Sequence, residues 1–199
     1  SKAGFITGLS VVMVPVFSAL LLRRVADRRA LLGVVCSTIG LAVLTLGAEL
    51  RPAYGDWLVL ACALCFALHI TSVGMFAPEM EALALTIVQV VAVALLSGAM
   101  SLITESWSWS VPSSVGLAAV FTGVLGTAFA FATQNSVQTW ATATHTALIF
   151  ATEPVFAAVF GYVWAGERLT QWGTVGCGLI VLGMLFAELR PSFDSQGGR

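Results

Sequence analysis

The sequence predicts an all-α, polytopic membrane helix bundle, from its composition, the length of its apolar runs and an internal repeat. Hydrophobic residues make up 58% of the 199 positions and charged residues 10%, against roughly 25% charged in an ordinary soluble domain. Mean hydropathy is +0.95. Seven apolar runs come near the roughly 20 residues that a helix needs to cross a hydrocarbon core of about 30 Å: 4–22, 30–48, 56–77, 83–104, 115–139, 146–164 and 172–189, here spans A to G. Gly, Ser and Thr interrupt each run, as in membrane helices that pack through small residues.

The repeat sets the architecture. Residues 15–19 read Pro-Val-Phe-Ser-Ala and 154–158 read Pro-Val-Phe-Ala-Ala, while 48–52 and 187–191 both read Ala-Glu-Leu-Arg-Pro. Pro15 to Pro154 and Ala48 to Ala187 are the same offset, 139 residues, so spans A and B correspond to F and G. An odd number of helices separates A from F, so corresponding pairs cross the membrane in opposite directions, as in the inverted repeats of many secondary transporters. Residues 53–191 then form a complete five-helix repeat, 1–52 the last two helices of its partner, and 192–199 a cytoplasmic tail. Three further helices are expected before Ser1, making these seven of ten. The opening Ser1-Lys2-Ala3, with Met13 the first methionine and already inside span A, agrees with an upstream start. Alone, this chain is expected to be inactive.

Orientation follows from the basic residues, which cytoplasmic loops retain. Arg23-Arg24-Val25-Ala26-Asp27-Arg28-Arg29 is the densest cluster and places the A–B loop inside. The C–D and E–F loops and the C-terminus then lie inside, in a cell inner membrane. Indole rings favour the bilayer interface, and Trp57, Trp107, Trp109, Trp140, Trp164 and Trp172 all fall at or just past span ends.

The stretch ALIFATEPVFAAVFGYVWAGERL (147–169), followed by the Gly-rich GTVGCGLIVLGMLFAEL (173–189), resembles the end of an EamA domain of the drug/metabolite transporter superfamily. CFALHITSVGMFAP (65–78) is similar to the first helix of the second such domain, and the Gln89 segment to its next helix. The resemblance implies a ten-helix, exporter-like fold with a central cavity, whose cargo is an amino acid, another metabolite or a toxic compound. Where the first domain would carry its own Gly-Glu-Arg-like turn, this chain has Arg24-Val25-Ala26-Asp27-Arg28.

Ionisable groups within a span cost roughly 2.5 to 3.5 kcal/mol near the helix centre and are functional candidates by default. Two acid or imidazole groups stand away from the span ends, His69 in span C and Glu153 in span F. At about 1.5 Å per residue, His69, Gln89, Gln134 and Glu153 share a similar depth, roughly 8 to 12 Å from the cytoplasmic ends of their spans. They form one polar layer along the cargo path, or each bonds a neighbouring helix by itself. Pro154 lacks a donor and crowds the carbonyl of Phe150, so span F is expected to kink there. Glu153 beside that kink either handles cargo or a proton, or is a static carboxyl bonded to exposed backbone. Its repeat counterpart is Val14, an asymmetry that favours the first reading. Gln134 and Gln138 share a helix face, with Gln138 expected near the surface and solvated.

Several classes are excluded or disfavoured. Cys36, Cys62, Cys65 and Cys177 lie inside spans and imply no disulfide framework. Cys62, Cys65 and His69 share a helix face, but a closed zinc site needs a fourth ligand and deprotonated thiolates, so no metal is assigned. Gly173, Gly176 and Gly178 are not preceded by a strand and read as close helix packing, as do Gly33, Gly40 and Gly47, and Gly4 with Gly8. No Walker, G-x-S-x-G or H-E-x-x-H sequence occurs, so neither ATP hydrolysis nor another enzyme activity is expected, and no cofactor. No basic face suits nucleic acid. The expected partners are a small-molecule cargo and the bilayer, with a homodimer allowed. Secondary transport leads, and the alternative is a membrane sensor or assembly subunit that binds a ligand without moving it.

Overall fold

The computed structural model describes residues 2–45, 54–105, 112–166, 168 and 170–188. The Ala48–Pro52 copy of the repeat, Gly47, Trp107, Trp109, Glu167 and Leu169 lie outside these residues. Among the described residues every regular element is a helix. Span A comprises α1 (Lys2–Gly8) and α2 (Ser10–Leu21), joined at Leu9, whose N–H donates to the carbonyls of Phe5 and Ile6 at 3.2 Å each. After α2 the chain turns through Arg23, which has a φ of 54°. Helix α3 (Arg28–Leu44) starts at Asp27, whose Oδ1 accepts from the Ala30 N–H at 2.6 Å. The segment that departs from the Gly-Glu-Arg turn is thus a side-chain cap that satisfies an otherwise orphaned donor.

Helix α4 (Tyr54–Phe76) runs into a 3-10 turn, Ala77–Glu79, and is followed by α5 (Ala82–Thr104). Span E is not one regular helix: α6 (Ser113–Phe121) opens into a π-helical stretch, Thr122–Phe129, before α7 (Ala130–Val137). Span F is two helices, α8 (Ala143–Phe150) and α9 (Glu153–Ala165), and span G is α10 (Gln171–Glu188). Six stretches are long and apolar enough to cross a membrane, 4–21, 54–79, 82–104, 113–137, 143–165 and 171–188. The seventh expected span, B, is α3, with 17 described residues. The chain is an all-α, multi-pass membrane protein.

Packing divides it into two compact units, residues 1–72 with 142–199, and residues 73–141. In the first, α3 and α10 run antiparallel along a glycine seam. A Cβ on Gly33 would stand 2.6 Å from the Gly183 carbonyl oxygen, and one on Gly183 would stand 2.7 Å from that of Gly33. Gly40 and Gly176 repeat the arrangement at 2.7 and 2.6 Å. Only hydrogen fits between these backbones, which is how membrane helices gain contact without a hydrophobic driving force. Ser37 Oγ, between the glycine pairs, donates to the Ile180 carbonyl at 3.5 Å. Gly8 faces the Leu41 side chain, whereas Gly4 and Gly178 have open space beside them and are not packing positions within this unit.

A second cluster in the same unit joins α2, α4 and α8 through Val14, Ala67, Ile70, Ala143 and Ala147. In the other unit α5 packs on α7, and Val73, Ala77 and Leu85 form a small cluster. Small residues lie inside and bulky aliphatics outside: Leu95, Leu96 and Leu102 are 69%, 69% and 70% exposed. That is the surface of a protein solvated by hydrocarbon.

Candidate functional site

Span F breaks at Ala151–Thr152, one turn ahead of Pro154. With no N–H, Pro154 cannot bond the Phe150 carbonyl. The hydrogen bonds tighten to i→i−3 across the gap: Thr152 N–H to Ile149 O at 3.0 Å and Val155 N–H to Thr152 O at 2.9 Å. The Thr152 hydroxyl donates to the Ile149 carbonyl at 2.6 Å, satisfying an end of α8. The expected kink is therefore present as a two-residue loosening of the helix, with Ala151 and Thr152 still in the right-handed helical region. Glu153 becomes the first residue of α9, and an acidic side chain at that position is favoured by the positive end of the helix dipole.

Glu153 and Pro154 line a cavity of about 530 Å³ within the first unit. Its walls come from α1, α2, α3, α4, α8 and α9, and include the hydroxyl-bearing Thr7, Ser10 and Thr45 and the rings of Phe66 and Phe150. The two rings are 5.7 Å apart and tilted by 52°. Phe66 in turn stacks on His69, with centroids 6.3 Å apart and planes within 17°. His69 is thus connected to the Glu153 cavity through an aromatic wall. Among the described residues that line the cavity, Glu153 is the only one with an ionisable side chain, and its carboxylate has no hydrogen bond or ion pair among the described residues.

The second unit holds a different polar cluster. Asn135, fully buried, donates from Nδ2 to Thr86 Oγ1 at 2.8 Å and to Gln89 Oε1 at 3.0 Å, and its Oδ1 accepts from Gln89 Nε2 at 3.5 Å. Gln134 Nε2 donates to Gln138 Oε1 at 2.9 Å along the same helix face. Gln138 is 1% exposed, so the expectation of a solvated side chain is wrong: its Oε1 is satisfied by Gln134 within the packed structure. Gln89 pairs with Asn135 and not with Gln134. Of the four residues expected in one layer, His69 and Glu153 belong to the first unit and Gln89 and Gln134 to the second.

Asn135, Thr86 and His145 are absent from the sequence-derived candidates. Asn135 follows two polar residues in an otherwise apolar span, and Thr86 stands three before Gln89, so spacing carries a trace of the cluster. His145 joins α8 to α10: its Nδ1 lies 2.6 Å from Thr142 Oγ1, and its Nε2, 3.3 Å from the Ala187 carbonyl oxygen, carries the proton that this acceptor requires. Among the described residues no group of three or more His, Cys, Asp or Glu is placed to hold a metal ion.

A solved structure, titled only as the crystal structure of a protein, shares the fold with a TM-score of 0.79 over 94% of this chain and 67% of its own length, at 23% identity. A protein of Archaeoglobus fulgidus named as an uncharacterized transporter is 30% identical over 190 residues, covering 96% of this chain. The chain spans 61% of that relative's length. Residues 53–189 match the EamA-like transporter family, and with more than half of the sequence inside that match, the chain belongs to the EamA-like transporter family.

Proposed function

We propose that this chain works in a secondary transporter, an exporter of a small metabolite, amino acid or drug across a cell inner membrane, by alternating access. The cavity at the broken helix is the cargo path and Glu153 the group that meets cargo or a coupling proton. The broken span F carries this reading. Irregular backbone is tolerated at membrane depth only where protein buries it or it lines a cavity, and discontinuous helices form the substrate and ion sites of several transporter folds. His69 supports the wall of this cavity through Phe66, and Gln89 and Gln134 are kept as further cargo-path candidates on their sequence depth. Residues 1–52 and 53–191 are taken as parts of two inverted repeats, a reading favoured by the antiparallel course of α3 and α10, with the C-terminus cytoplasmic. Membership of a transporter family supports the same activity.

The test is flux of a metabolite panel into sealed vesicles containing the full-length protein. Glu153→Gln keeps shape and hydrogen bonding and removes the charge. It is expected to fold and insert normally and to lower flux by roughly tenfold or more. Unchanged flux would reduce Glu153 to a structural residue.

A further inference from the structure

We propose that the loop between α2 and α3 is a docking site for the headgroup of an anionic phospholipid. It does not depend on the transport activity proposed above.

Basic charge is concentrated there. Four of the chain's nine basic residues, Arg23, Arg24, Arg28 and Arg29, fall within seven positions, with Asp27 the one acid among them. All four arginines are exposed. The guanidinium groups of Arg23, Arg24 and Arg28 make no hydrogen bond or ion pair among the described residues, whereas Arg29 has another interaction within the chain. Asp27 is committed to the cap of α3, its Oδ1 accepting from the Ala30 N–H at 2.6 Å. Glu188, the exposed acid at the end of the neighbouring α10, is ion-paired to none of the three.

Cytoplasmic loops retain basic residues in membrane proteins generally, but that preference needs only their charge. Here their positions are fixed at a cost. Arg23 adopts the left-handed region, with a φ of 54°, where a side chain crowds the following carbonyl. The turn ties Arg24 to the end of α2: its N–H donates to the Ser18 carbonyl at 3.3 Å, and the Ser18 hydroxyl donates to the Arg24 carbonyl at 3.4 Å. Arg28 and Arg29 open α3, where the positive end of the helix dipole repels them. A bound anion offsets that repulsion and the crowding of like charges.

Placement favours a lipid over a soluble anion. Only six residues, 22–27, join span A to span B, so the arginines on either side stay where the spans leave the hydrocarbon. Val25, between the two pairs, is 80% exposed, an apolar tip suited to the boundary between headgroups and acyl chains. Basic clusters of this size beside a membrane span attract anionic lipid, and a guanidinium pairs with phosphate oxygens through two parallel N–H donors.

The experiment places a bimane fluorophore on Val25→Cys of the full-length protein, with the native cysteines replaced, in vesicles of equal phosphatidylglycerol and phosphatidylcholine. Either the one lipid or the other carries brominated acyl chains, which quench on contact. Brominated phosphatidylglycerol is expected to quench more strongly than brominated phosphatidylcholine, by about twofold or more. Arg23→Gln, Arg24→Gln and Arg28→Gln together should abolish the excess. Lysine at the same three positions keeps the charge that sets topology but removes the paired donors, and should lower the excess by about half. Equal quenching by the two lipids overturns the proposal, as does an excess that survives the glutamine changes or is unaltered by the lysine changes. Loss of the excess on adding millimolar glycerol 3-phosphate would identify a site for a soluble anion and overturn it too. The lipid comparison at Val25→Cys stands even if the glutamine variant fails to insert.

Discussion

Asn135 shows what a single polar side chain does in a hydrocarbon solvent. Its amide bonds Thr86 and Gln89 on α5, so its loss leaves two groups on the other helix without their partner. In water such a loss costs about 1 to 3 kcal/mol. Between membrane helices, coupling averages nearer 0.6 and reaches about 1.7 kcal/mol, because a helix separated within the bilayer finds other partners. Asn135→Leu is therefore expected to destabilise by about 1 kcal/mol in micelle unfolding. Combining it with Gln89→Leu should cost less than the sum of the single changes, since no amide is then orphaned. Strict additivity would show that the pair does not interact. Glu153 stands out in the sequence because a charge inside an apolar run is conspicuous whatever the helix rotation, and the structure places it on the cavity wall. Asn135 was not, because which polar residues of two spans meet depends on rotation, and the hydropathy of α5 and α7 leaves rotation undetermined.

Helices show the same division between local and tertiary causes. The break in span F was foreseeable, since a proline removes a donor wherever it stands. The π-helical stretch over Thr122–Phe129 has no proline, and its glycines, Gly123 and Gly126, meet nothing within 4 Å within the described structure. Shifting to i→i+5 bonding leaves no residue signature that sequence reading can use. The glycines of α10 were readable as packing residues but not individually, and here the structure separates them. Gly176→Ala would drive a methyl into the Gly40 carbonyl and the backbone of Leu44. Overpacking of this kind costs about 1 to 3 kcal/mol. Gly178→Ala, two residues away, meets open space and should be neutral or stabilising by up to about 1 kcal/mol. Thermal unfolding of the two variants side by side is the measurement, and equal melting temperatures would contradict the seam. Gly166, at a φ of 67° as the cap of α9, is fixed by its backbone conformation instead, because a Cβ in that conformation costs about 1 to 2 kcal/mol.

For the molecule as a whole, fold class was readable from composition and run length alone, because a span of about 20 apolar residues has few alternatives to a membrane helix. Orientation is a separate question, on which the basic A–B loop makes a testable prediction by the positive-inside rule. Val25 in that loop is 80% exposed, and Thr170, between α9 and α10, is exposed too. In a variant with the four native cysteines replaced, an impermeant maleimide added to intact cells is expected to label Thr170→Cys, and to label Val25→Cys only after the membrane is opened. Labelling of both from outside would break the alternation of loops. Labelling of Val25→Cys alone would invert the orientation.

The glycine seam carries one more consequence. Gly33 meets Gly183 as Gly183 meets Gly33, and Gly40 and Gly176 do the same. In an assembly of identical subunits such a reciprocal patch would be called isologous, the self-complementary surface through which two copies associate about a two-fold axis. Here one chain supplies both sides, so this helix surface is consumed internally. A homodimer of this protein would therefore be built on another face.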